Sequence, residues 1–147
     1  MIMKLIFICT GNTCRSPMAC GIFKSMLEKE NIKGVYCDSA GTFVNPNEKA
    51  APNAVKVCSE IGVDISDHRA KALKDVKDFD QFDMYIVMNY NQYKILEMFN
   101  IPSYKIYILS GGVPDPFNLD VDVYRKTRDS ISSGLRKVLD MLKENGK

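Results

Sequence analysis

Four short apolar runs alternate along this chain with segments of helical periodicity, and that alternation narrows the choice of fold more than any other feature. Lys4 to Ile8 (KLIFI), Val35 to Ser39, Met84 to Met88 (MYIVM) and Lys105 to Leu109 (KIYIL) are short, apolar and β-rich, and read as buried strands. Between the first two, Met18, Ile22, Phe23, Met26 and Leu27 recur at spacings of three and four, which predicts an amphipathic helix. Ser16 and Pro17 open it as expected N-cap and first helical residue. Further helices are expected around Asn53 to Glu60, stopped near Gly62, and from about Gln92 to Phe99, closed by Pro102. A last one carries Tyr124, Thr127, Ile131, Leu135, Val138 and Leu142 on one stripe. Strands separated by helices pair in parallel through right-handed crossovers. The expected fold is therefore α/β: one domain over residues 1–147, a four-stranded parallel sheet and helices on both faces. A length of 147 residues suits a single core, and neither repeats nor linkers divide it.

Composition removes several function classes. Twenty basic residues against 18 acidic ones leave a net charge of +2, which gives no argument for a nucleic-acid or membrane partner. The apolar start is too short for a secretory signal, and no apolar run approaches the ~20 residues of a membrane span, so a cytoplasmic protein is expected. The five cysteines (Cys9, Cys14, Cys20, Cys37 and Cys58) are odd in number and include no C-x-x-C pair. His68 is the only histidine. A disulfide framework and a metal site are both disfavoured, and no cofactor is expected.

Chemistry concentrates after the first strand. Ligands of open α/β sheets bind beyond the carboxyl ends of strands. There, Cys9-Thr10-Gly11-Asn12-Thr13-Cys14-Arg15 leads into a helix N-terminus, whose free amides and dipole attract anions. Gly11 permits a tight turn that exposes N–H groups. The segment lacks the Gly-Lys-Ser/Thr ending of a nucleotide-binding loop. Instead a cysteine stands at its front and an arginine six residues later. Arg15 can grip phosphate with two parallel hydrogen bonds. A helix N-terminus with a neighbouring cation favours thiolate over thiol, which makes Cys9 a candidate nucleophile, and Ser16 could hydrogen-bond its sulfur. The alternative, a packed strand-end cysteine, is outweighed by strand, loop and helix start falling in register. Asp115, in a Pro-flanked loop after the fourth strand, fits a general acid and a turn aspartate equally well from the residues alone. His68 alone reads more readily as a solvated surface histidine.

Cys9-Thr-Gly-Asn-Thr-Cys-Arg-Ser-Pro17 resembles the signature of the low-molecular-weight protein tyrosine phosphatases. Ser39-Ala-Gly-Thr42, Asp67-His68-Arg69 and Asp115-Pro-Phe117 are similar to three further blocks of that family, in the same order, so the resemblance spans nearly the whole chain. It implies a two-step reaction. Cys9 takes the phosphoryl group as a thiophosphate, Arg15 clamps it, and Asp115 protonates the leaving atom and then activates water. It implies a substrate cradle of Thr10, Gly11, Asn12, Thr13, Cys14 and Ser16 with Phe117 on a wall. Asn12, Ser39 and His68 would form a supporting polar network, and Cys14 a possible disulfide partner for Cys9 under oxidation. Asp115 is then favoured over Asp120 and Asp122, expected near the last helix start.

The implied partners are phosphorylated proteins, and a monomer is the expected form. Phosphotyrosine is the leading substrate residue. Thr13, where tyrosine-specific members often carry Ile or Leu, and Phe117, in place of a common tyrosine, resemble instead the branch that dephosphorylates arginine. A thiol-dependent arsenate reductase would need relay cysteines, and none follows Cys58. A catalytically dead phosphoprotein-binding module is disfavoured by Cys9, Arg15 and Asp115 standing together. Cys20, Cys37 and Cys58 are expected to be core, and Phe43 is read first as an ordinary packed aromatic and second as part of a pocket wall.

Overall fold

The computed structural model describes residues 3–145. Strands β1 (Met3–Cys9), β2 (Val35–Gly41), β3 (Met84–Val87) and β4 (Ile106–Ile108) form one sheet in the order β2-β1-β3-β4. Every pairing in it is parallel. Helices α1 (Arg15–Lys29), α2 (Pro52–Ser59) and α3 (Tyr90–Met98) lie in the connections, and α4 (Val121–Asn145) follows β4. Among the described residues no helix is long and apolar enough to cross a membrane.

β1 is an inner strand, and Leu5 to Cys9 are all buried, which is why it reads as a continuous apolar run. Its alternate side chains feed two cores. Leu5 and Phe7 pack with Met18 and Phe23 of α1, Val57 of α2, and Ile131, Leu135 and Val138 of α4. Ile6 and Ile8 face the other way, onto Phe82, Tyr85, Val87 and Leu96 of α3. Helices therefore cover both faces, as the strand–helix alternation predicts.

Two boundaries differ from expectation for physical reasons. Helix α3 begins at Tyr90 because the Asn89 side chain caps it, accepting from the Gln92 amide. Ser16 is not the N-cap of α1. The helix already starts at Arg15, and Cys14 holds the cap position without a side-chain cap hydrogen bond. The Ser16 hydroxyl is engaged instead by the Cys9 sulfur and the Asn12 amide. Pro17 is tolerated because it lies in the first turn, where its missing N–H has no intrahelical partner to lose.

Candidate active site

β1 ends at Cys9 and α1 begins at Arg15, so residues 10–14 must turn the chain within a few ångströms of both termini. The turn requires Asn12 at φ 57°, the left-handed region. Such a residue costs on the order of 1–3 kcal/mol and persists only where its surroundings over-determine it. Those surroundings are present. Asn12 Nδ2 donates to Ser16 Oγ (2.7 Å) and Ser39 Oγ (3.1 Å), and its Oδ1 accepts from the Lys71 amide (3.0 Å). His68 Nε2 donates to the Asn12 carbonyl at 2.6 Å; a carbonyl can only accept, so Nε2 carries the proton in the neutral ring. Burial pushes the His68 pKa below its ordinary value; the Asn12 bond opposes this in part and Lys71 adds to it. Lys71 is itself anchored on Asp38, at 2.7 Å to each carboxylate oxygen.

The loop's carbonyls are taken by donors behind or beside it. Cys9 O accepts from Thr42 N, Thr10 O from Phe43 N, Thr13 O from Ala51 N and Cys14 O from Met18 N. The amides of residues 11–14 donate to no backbone carbonyl among the described residues, which leaves them free for an oxyanion. Gly41 makes the close approach possible: a Cβ there would lie 2.4 Å from the Thr10 carbonyl oxygen and 3.1 Å from Asn12 Cβ.

Against the loop is a cleft of about 270 Å³ lined by Cys9, Thr10, Gly11, Thr13, Cys14, Arg15, Asp115 and Phe117, among others. Cys9 is 2% exposed, with its sulfur 2.9 Å from Ser16 Oγ. Arg15 is 3% exposed. Its Nη1 donates to the Val113 carbonyl (2.9 Å), its Nη2 lies 3.6 Å from Asp115 Oδ2, and its buried Nε has no partner among the described residues. A buried guanidinium N–H left unpaired is costly unless an acceptor comes to it, so Arg15 Nε is suited to an oxyanion acceptor entering the cleft. Asp115 is half exposed, and its Oδ1 accepts from the Phe117 amide at 3.1 Å.

Several sequence expectations change. Asn12 and Ser16 belong to the loop, but both are fully buried and their side chains do not line the cleft; they brace the turn and the Cys9 sulfur from behind. His68 is half-buried rather than solvated, because its ring reaches the Asn12 carbonyl. Phe43 is not packed: it is 85% exposed and forms part of the cleft rim. Asp120 and Asp122 stay at the α4 start, where Asp120 accepts from the Val123 amide and Asp122 pairs with Arg125. Cys14 lines the cleft with its sulfur 3.3 Å from Tyr124 Oη, and burial pushes its thiol up. Cys20, Cys37 and Cys58 are buried, and burial raises their thiols to about 11, 12 and 12, so they are protonated at neutral pH.

Sequence reasoning missed Gln92. It is 1% exposed, its Oε1 accepts from the Met88 amide (2.7 Å) and its Nε2 donates to Thr10 Oγ1 (3.3 Å), tying the end of β3 to the loop. The available signal was a polar residue one helical turn before Leu96, on the buried face of α3. The Asp38–Lys71 pair and Tyr124 were missed too, since nothing local marks them as neighbours of the loop.

A family model described as low molecular weight phosphotyrosine protein phosphatase matches residues 4–147. The chain belongs to that family. Among the relatives of this phosphatase, the protein-arginine-phosphatase of Bacillus subtilis strain 168 is 34% identical over 151 residues, covering 97% of this chain and 99% of its own. The probable low molecular weight protein-tyrosine-phosphatase EpsP of Ralstonia solanacearum is 32% identical over 138 residues, covering 94% and 90%. A solved structure of the YwlE arginine phosphatase, a Cys-to-Ser mutant with a phosphorylated active-site serine, superposes with a TM-score of 0.88 at 35% identity, covering 96% of each chain.

Proposed function

We propose that this phosphatase hydrolyses phosphorylated protein side chains with Cys9 as nucleophile, Arg15 as phosphate clamp and Asp115 as general acid and then base. The observation that carries this reading is the convergence of Cys9, the Arg15 guanidinium with its unpartnered Nε, and Asp115 on one cleft. In the first step the sulfur bonds to phosphorus while the bond to the leaving atom breaks, and Asp115 delivers its proton to that atom. Arg15 and the loop amides hold the phosphoryl oxygens as charge redistributes. In the second step water attacks phosphorus, Asp115 takes its proton, the S–P bond breaks and orthophosphate leaves. Ser16 Oγ, donating to the sulfur, eases its departure as thiolate. The similar YwlE structure, with phosphate on a serine in the active site, supports phosphoryl transfer to the front of such a loop. Replacing Cys9→Ser should abolish hydrolysis of an aryl phosphate while phosphate still binds. Retained turnover would remove Cys9 as nucleophile.

Two substrate residues compete. Phosphotyrosine matches the family description and the EpsP relative. Phosphoarginine is favoured by a specific observation, Thr13 lining the cleft where its hydroxyl can meet a guanidinium, and by the B. subtilis relative matched along the whole chain. Matched phosphoarginine and phosphotyrosine peptides, compared by kcat/KM, decide between them. Thr13→Ile should shift the ratio toward phosphotyrosine, and an unchanged ratio would exclude Thr13 as the discriminator. A reducing compartment such as the cytoplasm suits an enzyme that depends on a free thiol.

A further inference from the structure

Two carboxylates line the phosphate cleft, Asp115 and Glu48, and Asp115 lies beside Arg15. Glu48 has no ion-pair partner among the described residues, yet it lines the phosphate cleft, near Phe43, Asn45 and Phe117. It also lines an adjoining groove of about 450 Å³, which shares Thr13 and Phe117 with the cleft and adds Lys49, Pro52 and Leu119. Its backbone is fixed: the Glu48 carbonyl accepts from the Ala70 amide (2.8 Å), its amide donates to Asn45 O (3.3 Å), and Lys49 bridges to Arg69. The carboxylate thus hangs from an anchored base at the junction of two cavities.

An unpaired carboxylate at the mouth of a cleft that attracts a dianion repels small anionic substrates. The same charge becomes a selective contact when the substrate brings a cation to that place. We propose that Glu48 is a specificity-determining residue that selects phosphorylated side chains carrying, or flanked by, a guanidinium or ammonium group, with the flanking chain lying in the adjoining groove. This rests on the phosphatase reading of the cleft. Lys49 lines the groove and not the cleft, so the favoured position for the substrate cation is on the phosphate side. The cation has two possible sources, the guanidinium of phosphoarginine itself or a basic residue beside the phosphorylated one.

The test measures kcat/KM at low ionic strength for phosphotyrosine peptides with basic, neutral or acidic flanks, a neutral-flanked phosphoarginine peptide, and para-nitrophenyl phosphate. The wild type should favour the basic-flanked peptide over the acidic one by about three- to fivefold, the scale of one exposed ion pair. Added salt should erase that preference. Glu48→Gln should abolish it and Glu48→Lys should invert it, while both raise kcat/KM on para-nitrophenyl phosphate. A fall on neutral-flanked phosphoarginine in Glu48→Gln assigns the cation to that side chain; no fall there, with the flank preference lost, assigns it to the flank. A wild type indifferent to flanks and to Glu48 substitution, or a preference that survives Glu48→Gln, overturns the proposal. Binding of the labelled peptides to the Cys9→Ser variant separates the two readings. Flank-dependent binding without wild-type turnover of any phosphomonoester or of the phosphoarginine peptide overturns the phosphatase reading alone. Flank-independent binding overturns the role of Glu48.

Discussion

At the scale of single residues, the division of labour between Asp115 and the loop is open to a direct experiment. Asp115 is half exposed and set by the Phe117 amide, with Arg15 Nη2 at 3.6 Å, so it can approach a leaving atom without belonging to the phosphate cradle. Removing a general acid typically costs 10²–10⁴-fold. Asp115→Ala should reach that range for a guanidine or an unactivated phenolic leaving group but cost far less for para-nitrophenolate, which departs unprotonated. Equal losses on both would assign Asp115 to binding. The proposed nucleophile and phosphate clamp were legible in the sequence because their spacing is local: Cys9 and Arg15 close the two ends of one short loop. What holds them was legible only in part. The family resemblance implied the network of Asn12, Ser39 and His68, and the hydrogen bonds show it, but Lys71 on Asn12 and Gln92 reaching Thr10 from α3 are links that side-chain geometry reveals and sequence spacing does not.

At the scale of elements, the strands and helices follow from period and punctuation, and their boundaries moved where a side chain had a stronger claim elsewhere, as at Ser16. A less obvious constraint is Gly134 in the middle of α4, where helix propensity alone favours alanine by roughly 0.5–1 kcal/mol. A Cβ at Gly134 would lie 2.2 Å from Ser110 Oγ and 2.9 Å from Leu109 Cδ1. Rotating the Ser110 hydroxyl away would sacrifice its bond to the Ser130 carbonyl, and Leu109 is fully buried. Overpacking of this kind costs typically 1–3 kcal/mol, so the clash outweighs the propensity. The turn at Leu109–Gly111 leads directly into the segment that holds Val113 and Asp115. Gly134→Ala should therefore lower stability in urea melts by about 1–2 kcal/mol net and reduce kcat more than phosphate affinity. A stabilised, fully active variant would show that α4 merely passes over this turn.

At the scale of the whole molecule, one sheet with a core on each face supports a loop that is strained at Asn12, and the support is coupled to protonation at His68. That residue is half-buried, with Nε2 on the Asn12 carbonyl and Lys71 nearby, and burial holds its pKa below the usual imidazole value. A native state that resists taking up this proton is penalised relative to the unfolded chain once the medium is acidic enough to protonate an exposed histidine. The unfolded chain then binds more protons, so stability rises with pH across that window. The contribution is fully present above the unfolded value, near 6.5, and is lost as pH falls from there through the lower folded value. Urea melts at pH 7.5, 6.5 and 5.5 should show the wild type losing stability faster on acidification than His68→Gln, whose amide can still donate to the Asn12 carbonyl but does not titrate. Both proteins also lose carboxylate pairs such as Glu60 with Arg125 and Arg128 at still lower pH, because those guanidiniums hold the Glu60 carboxyl well below its usual range. That loss is common to the two proteins and cancels in the difference between them. Parallel pH profiles for wild type and variant would mean that His68 titrates alike in folded and unfolded chains, and that its hydrogen bond braces the loop without tying stability to pH.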